Sequence, residues 1–298
     1  TDYRGRPAYR LANGEVEVFV TADVGPRILR YAHVGGPNLF KEISEEEDRR
    51  ITGGAEWKLY GGHRIWVGPE DPRYTYMADN EPPAIAVRGN ALAATSPTDA
   101  AGIRKAIRVE LAERGTAVRV VHSLTNETAW TLHLAPWALT MLAPGGTAVA
   151  LLPPMGTHPE HLAPANPLVM WRFTNFADPR WSILEKYLVL RADPERKDPE
   201  KAGLYRPEAI VAGYLLGDTF FLKRYRTLGP ASEYPDMGSA FETFTNGDFL
   251  ELETLGPLTE MAPGETVEHV EEWTLHRGVR VGEWTGAELD RVLGPLVE

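Results

Sequence analysis

A short stretch behind a Gly-Gly pair carries four side chains that could do chemistry together. His63, Arg64, Trp66 and Glu70 follow Gly61-Gly62 within eight residues. The indole offers an apolar face to a pyranose ring, the guanidinium and carboxylate can hydrogen-bond hydroxyls, and the imidazole can move a proton near neutral pH. This combination is typical of a sugar site. The alternative is a glycine-rich turn whose histidine and arginine have structural partners.

Two carboxylates share one side of a strand predicted at Phe249–Leu255. Apolar and charged residues alternate there, so Glu251 and Glu253 lie on one face, with Cα atoms about 6.5 to 7 Å apart. Carboxylates so placed raise each other's pKa and can divide the roles of acid and base. The alternative is an outer sheet face turned to water, which antiparallel sheets commonly have.

Other polar side chains give weaker signals. His269 and Glu271 share a face of a later predicted strand, which is either a polar sheet surface or part of a site. Lys223 adjoins an apolar run and is either an edge residue or a binding cation. Asp236 and the nearby Glu242 form a polar cluster borne by a turn.

The remaining histidines do not predict a metal site. His158 and His161 are close in sequence, but proline prevents a regular helix from presenting both, and no third ligand is evident. His122 and His133 fall in apolar strands, where we expect core histidines with hydrogen-bond partners. We therefore predict no metal and no other cofactor.

The elements that must position these groups are mostly strands. Ile103–Leu111 and Ala117–Leu124 form a predicted hairpin, and further short alternating runs separated by turns indicate a sandwich or barrel. The charged run Lys41–Arg50 contains Ser44 and Glu47 at capping-box spacing, but we favour a solvated loop.

Helical patterns are scarce outside the C-terminal end. There Thr285 and Glu288 form a predicted capping box, an apolar stripe follows, and Gly294-Pro295 ends the helix. The proline-rich stretch 153–167 is predicted to be a long irregular excursion.

Composition excludes several functions. The chain of 298 residues is 43% hydrophobic and 24% charged, as is usual for a soluble globule. Its net charge of −11 argues against nucleic-acid or anionic-membrane partners. Neither phosphate-binding glycine loop is present. The start at Thr1 leaves both cytoplasm and secretion open, and the oligomeric state cannot be read.

Several motifs together resemble the galactose mutarotase-like superfamily, and within it a bacterial family of stand-alone proteins. The resemblance covers nearly the whole chain, which we expect to be one domain, 1–298. It rests on Asp23–Ile28, Gly61–Glu70, Leu124–Asn126, Pro136–Thr140, Pro144–Gly146, Tyr234–Asp236, Leu252–Pro257 and His269–Trp273.

The resemblance implies an all-β supersandwich of two large antiparallel sheets, with a carbohydrate cleft on one of them and here a short C-terminal helix. In aldose 1-epimerases of that superfamily, a glutamate takes the proton of the anomeric hydroxyl and a histidine protonates the ring oxygen. Glu253 matches that glutamate, and His63 is similar to the first of two histidines. Ala135-Pro136-Trp137 stands where the second would be.

Two functional hypotheses follow. The first is a mutarotase-like isomerase with Glu253 as base and His63 as acid; the second is a non-catalytic carbohydrate-binding protein using the same cleft. In both, the partner is a small carbohydrate, and an acidic sugar would suit the cations. The expected binding residues are Arg64, Glu70, Lys223, Asp236 and Glu242, with Trp66 and Trp137 as stacking platforms.

Overall fold

The computed structural model describes residues 1–297, and most of its regular structure is strand. The first strands are β1 (Asp2–Tyr3), β2 (Arg6–Ala12), β3 (Val16–Thr21), β4 (Ile28–His33), β5 (His63–Gly68), β6 (Ala84–Arg88), β7 (Ala91–Thr98), β8 (Ile103–Leu111), β9 (Val118–Asn126), β10 (Leu132–Leu142) and β11 (Thr147–Leu151). They are followed by β12 (Leu168–Met170), β13 (Trp181–Ile183), β14 (Tyr187–Arg191), β15 (Glu200–Leu204), β16 (Ala209–Leu216), β17 (Thr219–Arg226), β18 (Phe241–Thr245), β19 (Leu250–Leu255), β20 (Thr259–Met261) and β21 (Thr266–Arg277).

The strands form two antiparallel sheets. The first has 11 strands in the order β1-β2-β3-β4-β5-β10-β19-β18-β15-β12, with β20 also paired to β10. The second has 10 strands in the order β13-β14-β11-β16-β17-β21-β9-β8-β7-β6. We call the face of each sheet that meets the other its inner face, and the opposite face its outer face.

The two inner faces enclose one large apolar core. Val18, Ile65 and Leu252 of the first sheet belong to the same buried cluster as Val120 and Phe221 of the second. Burial of this apolar area is the main force holding the sheets together. The structure confirms the predicted all-β sandwich with two large antiparallel sheets.

Helices are few and short in residues 1–297. They are α1 (Glu45–Thr52), the single turn α2 (Pro235–Gly238) after a 3-10 turn at Ala231–Glu233, α3 (Gly286–Val292) and α4 (Gly294–Val297). None of these described helices has the length and apolarity to cross a membrane.

Of three local predictions, one is wrong and two are confirmed. The loop favoured for Lys41–Arg50 is wrong, because Ser44 and Glu47 form a complete capping box that begins α1. The predicted C-terminal helix is confirmed as α3, where Thr285 accepts a hydrogen bond from the Glu288 backbone. The hairpin is confirmed as β8 and β9.

The strand register sets which side chains meet on the outer face of the first sheet. Residues directly opposite each other point to the same side. One row across β5, β10, β19, β18 and β15 therefore holds Arg64, Leu139, Glu253, Glu242 and Gly203. The row on one side holds Trp66, Trp137 and Leu255, and the row on the other holds Met141, Glu251, Phe244 and Lys201.

Candidate functional site

The Gly61-Gly62 pair makes a tight approach between chain segments. Both glycines have positive φ, +86° and +70°. A Cβ at Gly62 would collide with the Ile28 carbonyl oxygen, and one at Gly61 with that of Lys41. Only glycine fits here without strain. The turn starts β5 so that His63 points inward and Arg64 points outward.

His63 is therefore not in a cleft with Glu253. Its side chain is fully buried between the sheets, with Nδ1 2.8 Å from Thr140 Oγ1 and Nε2 2.6 Å from His122 Nε2. Glu253 lies on the opposite face of the same sheet. The prediction that these two residues converge was wrong. Glu253 is in the same row as Arg64, and His63, one residue before Arg64, points to the opposite face because side chains alternate along a strand.

A hydrogen-bonded chain satisfies the buried imidazoles in their neutral form. His122 Nδ1 donates to the His269 carbonyl oxygen at 2.9 Å. His122 Nε2 then accepts from His63 Nε2–H, and His63 Nδ1 accepts from the Thr140 hydroxyl. Burial holds the pKa of His63 well below its usual value and also lowers that of His122. We call His63, His122 and His269 the interior histidines.

Lys223 also lies between the sheets and not in the cleft, which corrects its expected role. It is fully buried, with Nζ 2.9 Å from Glu271 Oε1 and 3.1 Å from the Leu252 carbonyl oxygen. Glu271 additionally accepts from the Trp273 indole at 2.8 Å. Burial lowers the pKa of Lys223 despite the attraction of Glu271. The pair is a core ion pair.

His63, His122 and Glu271 bring three potential ligand atoms within 4.8 Å of one another. The two Nε2 atoms are at hydrogen-bond distance, 2.6 Å, whereas two nitrogens bound to one tetrahedral zinc at about 2.0 to 2.1 Å lie roughly 3.3 Å apart. Glu271 is also taken by the Lys223 ammonium. These groups fit a proton-sharing network better than a metal.

The outer face of the first sheet bears a cleft of about 430 Å³, which we call the aromatic cleft. Its walls are mainly aromatic, with charged groups among them. The lining residues are Ile51, Trp57, Leu59, Arg64, Trp66, Glu70, Tyr76, Trp137, Leu139, Trp171, Phe173, Lys201, Phe244, Asn246, Phe249 and Glu251. Four predicted site residues are thus brought together: Arg64, Trp66, Glu70 and Trp137.

The aromatic rings that line the cleft pack against one another. The centroids of Trp66 and Trp137 lie 5.5 Å apart at 68°, and those of Trp57 and Tyr76 lie 4.9 Å apart. Tyr76 donates a hydrogen bond to Glu70 Oε1. These edge-on and tilted contacts fix the indole faces that a ligand would meet.

Glu253 is held behind the lining by two donors. Its Oε2 accepts from Trp137 Nε1 at 2.8 Å and from Lys201 Nζ at 3.1 Å, while Oε1 has no partner in residues 1–297. The Lys201 ammonium also lies 2.6 Å from Glu242 Oε2. These two carboxylates raise the pKa of Lys201 against the effect of burial, so the ammonium stays charged.

Glu242 and Asp236 do not line the aromatic cleft. Glu242 is fully buried beside Lys201, and burial raises its pKa well above the usual value. Asp236 is half-buried in α2 with φ of 50°, and burial also raises its pKa. The structure places both next to the Lys201 group but not on the surface of the aromatic cleft.

Glu251 and Arg64 are ionisable side chains of the cleft that have no hydrogen-bond or ion-pair partner in the described residues. Glu251 is 9% exposed, and burial, helped by Glu253, raises its pKa to about 8. Arg64 is 2% exposed, and burial lowers its pKa to about 9. Within the described chain neither side chain has a hydrogen bond or ion pair, although the Arg64 guanidinium carbon lies 3.6 Å from the Trp66 ring centre.

Sequence reasoning missed part of the lining. Lys201 was not among the predicted site residues, although the alternation of Lys201 and Gly203 with the apolar Ala202 and Leu204 is typical of a strand. Trp57, Trp171 and Phe173 lie outside the strands and no local pattern placed them. His133, expected in the core, is exposed on β10.

A second depression, about 520 Å³, lies on the outer face of the second sheet. It is crossed by a row of alternating charges, Glu110, Arg119, Glu272 and Arg224. Arg119 and Glu110 pair at 3.3 Å, and Arg224 bonds the Leu296 carbonyl oxygen. Because its charges are largely compensated, we place the candidate site in the aromatic cleft.

Comparison with solved structures identifies the fold as galactose mutarotase-like. A galactose mutarotase-like protein from Lactobacillus casei ATCC 334 is 11% identical with a TM-score of 0.57, over 90% of this chain and 100% of that one. A protein from Synechocystis sp. PCC 6803 is 12% identical with a TM-score of 0.57, over 91% and 96%. A galactose mutarotase related enzyme from Lactobacillus acidophilus is 9% identical with a TM-score of 0.50, over 91% and 98%.

The sequence comparisons add no closer relative. No protein-family model matches the chain, and no curated protein does. The structural likeness at these low identities concerns the fold, so the function must be argued from the site itself.

Proposed function

We propose that the protein binds a monosaccharide or the end of a sugar chain in the aromatic cleft and isomerises it by mutarotase-like acid-base chemistry. The observation that carries the proposal is the meeting of indole faces with unpartnered polar side chains on one outer sheet face. Trp66 and Trp137 offer apolar surface to the C–H face of a sugar ring, while Arg64 and Glu251 offer hydrogen bonds to its oxygens.

The acid role moves from His63 to Glu251. Glu251 lies two residues from Glu253 on the same strand face and lines the aromatic cleft. With its pKa raised to about 8 it carries a proton at neutral pH. Glu253 has the Lys201 ammonium and the Trp137 indole as donors to its carboxylate. Their environments differ, as paired acid and base carboxyl groups require.

The reaction needs only proton transfers. Glu253 takes the proton of the anomeric hydroxyl as Glu251 gives its proton to the ring oxygen; the bond between the anomeric carbon and the ring oxygen breaks and the open-chain aldehyde forms. Rotation of the aldehyde and reversal of both transfers close the ring on either face. Acid-base catalysis of this kind needs no cofactor.

One observation favours a second candidate, a carbohydrate-binding protein without turnover. Glu253 is fully buried behind Trp137 and Lys201 and does not line the aromatic cleft. For Glu253 to act as base, its unpartnered Oε1 must be reached by the anomeric hydroxyl of a bound sugar. If the two covering side chains stay in place, binding occurs without proton transfer.

The experiment is magnetisation-exchange NMR of anomer interconversion with a panel of aldoses. E253Q and E251Q should each lower the rate by about 10²- to 10⁴-fold, the usual contribution of an acid or base. E268Q, on an exposed strand position, is the matched control and should leave the rate unchanged. Binding without any exchange above the buffer rate would support the second candidate, and absence of both would refute the proposal.

A further inference from the structure

Arg64 is a buried cation without a counter-ion. Its side chain is 2% exposed, yet in the part of the chain that the structure describes no oxygen accepts from its guanidinium, and Nε is enclosed with no partner. Buried charged groups are ordinarily paired, because loss of water around a charge is costly. An arginine left in this state at a cleft points to a group supplied by a ligand.

The guanidinium is held in a fixed orientation. Its carbon lies 3.6 Å from the centre of the Trp66 ring, and Trp66 in turn contacts Trp57, Tyr76 and Trp137 through ring edges. Stacking uses the face of the guanidinium and leaves its N–H groups free at the rim. Arg64 therefore presents a rigid fork of donors to the aromatic cleft.

The other charges around the cleft do not neutralise Arg64. Asp79, the carboxylate that acts most strongly to raise the pKa of Arg64, is paired with the Arg27 guanidinium at 2.8 Å. Lys201 is engaged with Glu242 and Glu253. Glu251, whose pKa is about 8, is mostly protonated at neutral pH and offers an O–H donor. Glu70 accepts from Tyr76 and lies at the exposed edge. At pH 7 no anionic side chain of the described residues is therefore paired with Arg64.

We infer that the aromatic cleft selects sugars that carry an anionic group, a carboxylate or a phosphate monoester, and that Arg64 is the residue that binds this group. The inference rests on the proposed carbohydrate function and narrows it to a substrate class. A carboxylate matches the guanidinium fork with two parallel hydrogen bonds, and a phosphate does so with two of its oxygens.

The test is isothermal titration calorimetry at pH 7 with matched series: glucose, galactose and mannose, their uronic acids, and their 6-phosphates. We expect an anionic member to bind about 10- to 100-fold more tightly than its neutral parent, the range for hydrogen bonds to charged groups. Comparison of the uronate and phosphate arms identifies the anion. R64Q should remove the preference, and R64K should retain only part of it because the fork is lost.

R73Q is the matched control, because Arg73 is exposed, does not line the cleft and pairs with Asp71. It removes one positive charge but should keep the preference for anionic sugars. Circular dichroism and the thermal midpoint will establish that each variant is folded. Equal affinity of wild type for neutral and anionic sugars would overturn this inference while leaving the proposed function intact. Binding of no sugar at all would overturn both.

Discussion

His63 Nε2 lies 2.6 Å from His122 Nε2 across the interface between the two sheets. The two residues belong to strands β5 and β9 of different sheets, so this hydrogen bond links the sheets through the core. His269 adds a third buried imidazole, with Nε2 2.6 Å from Thr254 Oγ1. The histidine that motif reasoning placed in catalysis is therefore part of the structural core.

The interior histidines should make stability depend on acidity. Burial lowers the pKa of all three in the folded protein, so below about pH 6.5 the unfolded chain binds protons that the folded chain does not. The free energy of unfolding should therefore decrease as the pH is lowered, by up to about 1.4 kcal/mol per pH unit for each ring. Urea denaturation between pH 7.5 and 5 measures this slope.

The H122Q variant separates the contribution of the histidines to this pH dependence from that of the carboxyl groups, which also titrate. H122Q should destabilise the protein at pH 7.5, since it disturbs the bond to His63, but its slope should be smaller by about 1.4 kcal/mol per pH unit. H133Q, at an exposed position, should retain the wild-type slope. Unchanged stability of wild type between pH 7.5 and 5 would contradict the neutral network.

Lys201 should be the cation whose loss is most damaging on the outer face. It balances Glu242 and Glu253, both fully buried, and K201M would leave two carboxyl groups without their shared partner. We expect a loss of about 3 to 5 kcal/mol in the free energy of unfolding at pH 7.

The control for this measurement is K197M. Lys197 is four residues away, its side chain is 63% exposed, and it pairs with Asp248 at 3.2 Å. An exposed ion pair of this kind contributes little, so the change should stay within about 0.5 kcal/mol. Similar losses in K201M and K197M would show that the buried carboxyl groups do not depend on Lys201.

Alternation along strands was enough to predict a sandwich or barrel and which residues of one strand share a face, whereas the two-sheet supersandwich was predicted from the family resemblance. It placed Glu251 with Glu253, and Leu250 with Leu252, as the structure has them. It could not say which face meets the second sheet. Both faces of β5 and β19 are buried, one by the core and the other by the walls of the cleft, so polarity did not distinguish inside from outside.

The cleft itself depends on contacts distant in sequence. Trp57 precedes β5, Trp171 follows β12, and Lys201 lies in β15, yet all three line one cavity with Glu251. Their meeting follows from the order in which strands pair, and no local spacing encodes it. Local sequence signals matched the structure where residues close in sequence contact each other, as in the capping box at Ser44.

Gly62 should tolerate no side chain. A Cβ there would overlap the Ile28 carbonyl oxygen, and φ of +70° is strained for any other residue. We expect G62A to lower the free energy of unfolding by at least about 2 kcal/mol and to weaken sugar binding by displacing Arg64. G286A, at the start of α3 with open space around it, should be neutral or stabilising by up to about 1 kcal/mol. Chemical denaturation of both variants tests the difference.

Glu251 should control the alkaline limb of the activity. Its proton is the one donated to the ring oxygen, and its pKa is raised to about 8. The rate of anomer exchange should therefore be highest where Glu251 is protonated and fall as pH rises through about 8. E251Q cannot donate this proton, so its residual rate should lack that limb, whereas E268Q should keep it. A wild-type rate that stays level from pH 7 to 9.5 would exclude Glu251 as the acid. Carboxyl ¹³C shifts over the same range, compared between wild type and E251Q, would assign the titration to this side chain.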